Sequence, residues 1–315
     1  MLKTENEFKE KEGLAIWNPT QGVAYQIAGA LNRLGTRMTA LVFDSESDKK
    51  YRSLSLTTKV LDPQNPAQTA FEPHIPIETF LFCLDPWLST PASEQEIPAA
   101  KESLQKAVSV FESLKNVFPS IKSLFVLPQA FMHQSQILEE LHNVDTLLWT
   151  PLCFGFRDGF LFDQILETFN KNAALLEHPL PAKLQHPYIF AGDVAAMATT
   201  ISMNNQFWGK HFYIPTEHKE IENFRKAFVE TFADLSNTNW LERISAKLDN
   251  PVYTQLLEQY FSKALSTSEI AARTHNALEY FPTNLTSLDR AFSTLKRSYT
   301  RFKETELIFP PAQMP

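Results

Sequence analysis

Apolar residues in the first half of the chain fall into short continuous runs, separated by stretches in which they recur every three or four positions. Leu14 to Trp17, Thr39 to Phe43, Thr57 to Leu61, Thr79 to Leu84, Ser123 to Leu127 and Thr146 to Thr150 are the runs. They are rich in β-branched and aromatic residues and do not alternate with polar ones, as expected of strands covered on both faces. After the first run and the turn Asn18-Pro19-Thr20, Val23, Ile27, Ala30 and Leu31 lie at helical spacing, and Gly35 closes that helix. Pro98 to Phe118 carries Leu104, Ala107, Val108, Phe111, Leu114 and Val117 on one stripe, with Lys101, Glu102, Gln105, Lys106 and Glu112 off it, and predicts an amphipathic helix. Phe131 to Leu141 predicts a shorter helix, and Asp44 to Lys50 a polar loop. Strands alternating with helices imply a parallel sheet. The expected class is α/β: a Rossmann-like, doubly wound parallel sheet with a smaller, mostly helical C-terminal region of substrate-binding type.

From Pro151 the pattern loosens. Phe160 to Phe169 reads as a helix, residues 173–187 as a Pro- and His-containing connection, and Tyr188 to Phe190 as a short strand. Asp193 is placed to cap a helix from Val194 to Ser202. Lys210 to Ile214 predicts a strand and Glu217 to Phe232 a helix; beyond them the chain reads as mostly helical, with Leu256, Leu257, Tyr260 and Phe261 as one apolar group. The expected boundaries are a tail over 1–12, a dinucleotide-binding-type core over 13–155, the remaining strands and C-terminal region over 156–302, and a loose Pro-rich tail over 303–315.

Composition narrows the classes. The net charge of −7 and the lack of a basic block give no electrostatic case for nucleic acid. No apolar run approaches the ~20 residues that span a bilayer, and the charged start, Met1 to Glu12, does not read as a signal peptide. Cys83 and Cys153 both sit in strand-like runs, which predicts buried free thiols and a cytoplasmic, reducing setting. His178, His186, His211 and His218 have no metal-ligand spacing, so no metal site is expected. Only 8 glycines occur in 315 residues. Loops that cradle phosphate depend on glycine for close backbone approach and positive φ, so this chain has few places to build one.

In their order, these pieces resemble an extended short-chain dehydrogenase/reductase, the group that holds sugar-nucleotide epimerases, dehydratases and several reductases. The opening strand, turn and helix are similar to the family's glycine-turn unit. Asp62-Pro63 resembles the end of its third strand, and Leu147-Leu148-Trp149-Thr150-Pro151 its Arg-Pro strand end, with Gly155 near a further glycine. Tyr188 to Ala195 resembles a strand followed by Asp-Val-Ala, and Glu279-Tyr280-Phe281-Pro282 with Leu285 and Leu288 its C-terminal Gly-Tyr-x-Pro region. The resemblance runs over roughly residues 13–302. It implies a dinucleotide site, NAD or NADP, lined by Asn18, Thr20, Gln21, Gly22, Val23, Ala24 and Asp44. Asp44 stands where an acid would receive ribose hydroxyls, and it favours NAD by repelling a 2′-phosphate; Lys49, Lys50 and Arg52 oppose that preference. It also implies a homodimer through the Pro98–Phe118 helix.

The departures from the family fall on the chemistry. Its Gly-x-x-Gly-x-x-Gly turn aligns with Asn18, Gln21 and Ala24, none of them glycine. Asn18 tolerates a left-handed backbone, Ala24 is small enough for close packing, Gly22 is displaced by one residue, and Gln21 projects where a pyrophosphate would lie. The family's catalytic Tyr and Lys, four residues apart on one helix face, align with Phe131 and Ser135, and its catalytic Ser or Thr with Gln129. Phenylalanine has no proton to give and serine no charge to lower a neighbour's pKa. His133 points about 200° away from Phe131 around a helix, and Cys153 has no evident base to activate it. Two readings follow. One is a pseudoenzyme that binds a nucleotide, small metabolite or protein partner. The other is an atypical NAD(P)-dependent oxidoreductase or epimerase.

Overall fold

The computed structural model describes residues 13–19, 22–53, 57–71, 77–84, 96–132, 134–155, 185–215, 218–220, 274–281 and 284–304, with single positions at 223, 227, 230 and 231. The chain opens with β1 (Leu14–Trp17), α1 (Gly22–Arg33), β2 (Met38–Val42), α2 (Ser45–Ser53) and β3 (Thr57–Val60). It continues through β4 (Thr79–Cys83), α3 (Glu96–Val117), β5 (Lys122–Pro128), the single helical turn α4 (Ser135–Leu138), β6 (Thr146–Thr150) and β7 (Leu152–Phe154). Then come β8 (Gln185–Phe190), α5 (Ala191–Ser202), β9 (His211–Tyr213), β10 (His218–Glu220), β11 (His275–Asn276), α6 (Ala277–Tyr280) and α7 (Leu288–Glu304).

Eight strands form one sheet in the order β11-β9-β6-β5-β4-β1-β2-β3, with every pairing parallel. From β1 the chain builds outward to β2 and β3, then returns to β4 on the other flank. The strand order therefore reverses between β1 and β4, and the crevice above their C-terminal ends is where such sheets bind ligands. A three-stranded sheet, β10-β8-β7, stands apart; β8 runs parallel to β7 and antiparallel to β10.

Alternate residues of each strand feed two cores. Leu14, Ile16, Ala40, Val42, Leu81, Leu124, Val126 and Leu148 face α1, α5 and α7, with Ile27, Leu31, Val194, Ile201, Phe292 and Leu295 packed on them. Ala15, Trp17, Leu41, Phe80, Phe82, Phe125, Leu127, Leu147 and Trp149 face α3, which contributes Leu104, Ala107, Phe111 and Leu114. Both faces are covered, which is why the strands read as unbroken apolar runs. The α/β, doubly wound class expected from the sequence is the observed one.

Several local expectations are corrected. Asp44 to Lys50 is not a loop: α2 starts at Ser45, with Asp44 accepting from the Ser47 backbone N–H (2.6 Å) and hydroxyl (2.7 Å) as an N-terminal cap. The helix expected over Phe131–Leu141 is broken into a 3₁₀ turn at Gln129–Phe131, α4, and a 3₁₀ turn at Glu139–Leu141. Gln134, extended at φ −82° and ψ 105°, stops the first turn from running into the second. His218–Glu220 is a strand inside the helix expected from Glu217, because pairing with Gln185–Pro187 satisfies its backbone. That strand β8 also takes up the last residues of the expected connection. The helix after β8 starts at Ala191, so Asp193 lies inside its first turn rather than at its cap; its carboxylate accepts from the Thr286 backbone N–H (2.8 Å) and hydroxyl (2.5 Å). The last helix crosses the boundary expected at residue 303. The helix over Phe160–Phe169, the group at Leu256 to Phe261, residues 1–12 and residues 305–315 lie outside the described residues.

Candidate functional site

The turn after β1 is built on two left-handed residues. Asn18 has φ +34° and Gly22 φ +64°. An L-residue with a side chain pays roughly 1–2 kcal/mol for this conformation, with asparagine among the few that adopt it routinely. The Asn18 N–H donates to the Leu41 carbonyl at 2.7 Å, which ties the end of β1 to β2 before the chain turns up into α1. Gly22, Val23 and Ala24 are buried in the first turn of that helix. The first amides of a helix have no intrahelical partner, and a helix that starts beside a sheet's reversal is where a phosphate would find donors. Thr20 and Gln21 lie outside the described residues.

Two supports of this turn were not read from the sequence. Tyr51, buried on α2, donates its phenol hydroxyl to the Pro19 carbonyl. Trp17, one residue before Asn18, packs edge-on against Phe43 (5.0 Å), Phe82 (5.7 Å) and Phe80 (6.4 Å). The signal for Tyr51 was its position as the one large apolar residue in an otherwise polar stretch. Asp44 is exposed beside the turn, with both carboxylate oxygens engaged by Ser47. A carboxylate offers about four acceptor positions, so this cap leaves capacity for ribose hydroxyls.

The opposite rim, above β5, β6 and β9, is organised differently. Gln129 follows Pro128 at the end of β5 and donates its side-chain amide to the Ile214 carbonyl at 2.8 Å. Ile214 in turn donates its N–H to the Trp149 carbonyl at 3.0 Å. Phe131 leans on the core that faces α3, while Ser135 is exposed at the start of α4. Phe131 and Ser135 thus stand on separate turns, with the extended Gln134 between them. The spacing that puts two side chains on one helix face has no helix to act through. His133 lies outside the described residues, as does the Asp85-Pro86-Trp87 turn after β4.

Other candidates are accounted for elsewhere. Cys83 and Cys153 are both buried, and the Cys153 thiol donates to the Pro151 carbonyl at 3.3 Å. His211 starts β9, at the end of the sheet away from the crevice. Its imidazole is held below the ordinary value, first by desolvation and second by the neighbouring His275. Among the described residues, no three His, Cys, Asp or Glu side chains come together to hold a metal ion. No helix among them is long and apolar enough to cross a membrane.

The sheet order, the crevice at the β1/β4 reversal and the two helical layers define a Rossmann-like α/β fold. Solved structures carry the likeness. The yeast methylglyoxal/isovaleraldehyde reductase, complexed with NADPH, is 12% identical and has a TM-score of 0.58, covering 93% of this chain and 99% of its own. A nucleoside-diphosphate-sugar epimerase from Staphylococcus aureus is 14% identical with a TM-score of 0.57, over 89% of this chain and 99% of its own. The UDP-N-acetylglucosamine 4-epimerase from Bacillus cereus is 8% identical with a TM-score of 0.55, over 92% and 100%. Identities this low speak for the fold alone. No family model matches the sequence, and neither does any curated protein.

Proposed function

We propose that this chain is a nucleotide- or metabolite-binding module on the short-chain dehydrogenase/reductase fold, without the family's Tyr/Lys chemistry. One observation carries the reading: Phe131 and Ser135, which the resemblance aligns with the family's proton donor and its lysine, sit on different turns. Proton transfer to a carbonyl needs a donor within hydrogen-bond reach and with a pKa near the working pH. Neither residue meets the second condition, and the broken helix removes the shared geometry. The crevice keeps the features that receive a ligand: the left-handed Asn18 and Gly22, the start of α1, and Asp44 beside them. Asn18, Thr20, Gln21, Gly22, Val23, Ala24 and Asp44 are the residues we assign to it, with NAD preferred to NADP on account of the Asp44 carboxylate.

The test joins binding to turnover. The purified chain is heated with NADH, NADPH and nucleoside diphosphates, then incubated with NAD(P)H and a panel of aldehydes, ketones and nucleotide sugars. A ligand at 100 times its Kd stabilises by about 2.7 kcal/mol, enough for a visible shift in melting temperature. The expected result is a shift with at least one nucleotide and no turnover. Turnover of any substrate overturns the non-catalytic reading in favour of the second one, an atypical NAD(P)-dependent oxidoreductase or epimerase. The similar yeast reductase, whose structure contains NADPH, is what favours that alternative.

Three further assignments belong to this reading. The chain divides near residue 155 into a nucleotide-binding core and a substrate-type region. Both cysteines, buried as thiols, suit a cytoplasmic setting. A homodimer through α3 would juxtapose an outer face carrying Glu102, Gln105, Ser109, Glu112 and Lys115. Charges of both signs on that face can pair across a two-fold axis. Light scattering at twice 36.0 kDa supports that pairing, and at 36.0 kDa excludes it.

A further inference from the structure

We infer that Gln129 is a specificity-determining residue that shuts one half of the crevice, so that the ligand is a nucleoside mono- or diphosphate rather than a dinucleotide. The inference rests on the nucleotide-binding reading above and narrows its ligand class.

A dinucleotide lies across the reversal in strand order, one nucleotide over each flank of the sheet. On one flank, β1 and β2 end in the left-handed turn and the Asp44 cap. On the other, the ends of β5, β6 and β9 would have to receive the second nucleotide. Those ends are tied to one another. Pro128 pairs with Thr150, and Trp149 with Tyr213, which sets the three strand ends side by side. From the residue after Pro128, the Gln129 side chain reaches the Ile214 carbonyl just past the end of β9, so it bridges β5 to β9 across the end of β6. The Ile214 N–H is taken by Trp149, and the Thr150 hydroxyl donates to the Leu127 carbonyl at 3.4 Å. Thr150 and Pro151 beneath the bridge are buried, and Phe131 beside it packs down onto the core.

A second nucleotide entering here must displace the Gln129 amide. It would leave the Ile214 carbonyl without that donor in a part-buried place, a cost that ligand contacts must first offset. Gln129 thus acts on the ligand through the strand ends that it ties together, as a positioning residue.

The experiment is calorimetric titration of the full chain with ADP and with NADH. The expected result is that both bind, with dissociation constants within about threefold of each other, because the second nucleotide adds nothing. Even one net hydrogen bond of ordinary strength from that second half would tighten NADH about tenfold over ADP. NADH binding tenfold or more tightly than ADP therefore overturns the inference and leaves the nucleotide-binding reading standing. If neither ligand binds, that reading fails and the inference falls with it.

The same titration on Gln129→Ala and Gln129→Leu assigns the effect to the side chain. Both variants lose the donor, and the second keeps the bulk. NADH is expected to gain at least threefold relative to ADP in Gln129→Ala and less in Gln129→Leu. An unchanged ratio in Gln129→Ala overturns the role given to Gln129. The ratio compares two ligands in one preparation, so a variant that is only partly folded does not shift it.

Discussion

The two rims of the crevice are built in opposite ways. On the β1–β2 side a single glycine, Gly22, lies among the described residues of the turn, yet the turn has the backbone shape that glycine serves. Asn18 and Gly22 take the left-handed conformations, and Tyr51 and Trp17 brace the turn from outside. On the β5–β6–β9 side the backbone runs in short turns, and Gln129 ties strand ends together. Residue type at one position is thus a poor guide to the backbone around it. Asparagine can stand in for glycine where only a dihedral angle is needed, but a proton donor has no such stand-in.

If the first rim is a maintained structure, perturbing its supports must be costly. Trp17→Ala removes a nearly buried indole and three edge-on ring contacts. It is expected to destabilise by about 3–5 kcal/mol, read by urea unfolding. A loss below 1 kcal/mol would mean the turn has no packed floor. Gly22→Val forces a β-branched residue into φ +64° at a buried position. Conformational strain alone predicts a loss of about 1–2 kcal/mol, and nucleotide-induced thermal stabilisation should fall with it. Gly22→Ala, with a smaller side chain at the same φ, should lie between. Tyr51→Phe leaves the Pro19 carbonyl without its phenol donor, worth about 1 kcal/mol. Here ligand affinity should weaken more than stability does, because the turn moves while the core remains.

The second rim makes the opposite prediction: introducing a Tyr/Lys pair there should confer nothing. The double variant Phe131→Tyr with Ser135→Lys places that pair at the two positions proposed above. No hydride transfer from NADH or NADPH is expected, because the two side chains rise from separate turns. Activity in the double variant would show that a continuous helix forms once the pair is in place.

How much was legible follows from the same physics. The six main strands declared themselves because both faces of the sheet are covered, so Leu81, Phe82, Phe125 and Val126 have no solvent side to register as polar. α3 was legible because Ala100, Leu104, Ala107, Phe111 and Leu114 are buried at helical spacing. α2 was missed: in Ser45–Ser53 Tyr51 is the lone large apolar residue, and the cap at Asp44 looked like loop chemistry. The break after Phe131 was missed because Ile137 and Leu141 keep an i, i+4 spacing whether or not the helix continues between turns. β10 is three polar residues whose strand character comes wholly from its partner β8. The bridge from Gln129 to Ile214 joins positions 85 residues apart, and no local pattern encodes such a contact. In the candidate site, the left-handed tolerance of Asn18 was readable from residue type and is what the backbone shows. The braces from Tyr51 and Trp17 depend on packing between elements and were not readable.

The most direct measurement is a crystal structure of the full chain soaked with NADH. This account predicts density for the adenosine and pyrophosphate groups at the turn between Asn18 and Gly22, with the Gln129–Ile214 bond intact and no ordered nicotinamide above Thr150. A nicotinamide ring ordered over the ends of β5 and β6, with Gln129 swung aside, would contradict it. An empty turn at saturating NADH would contradict it as well.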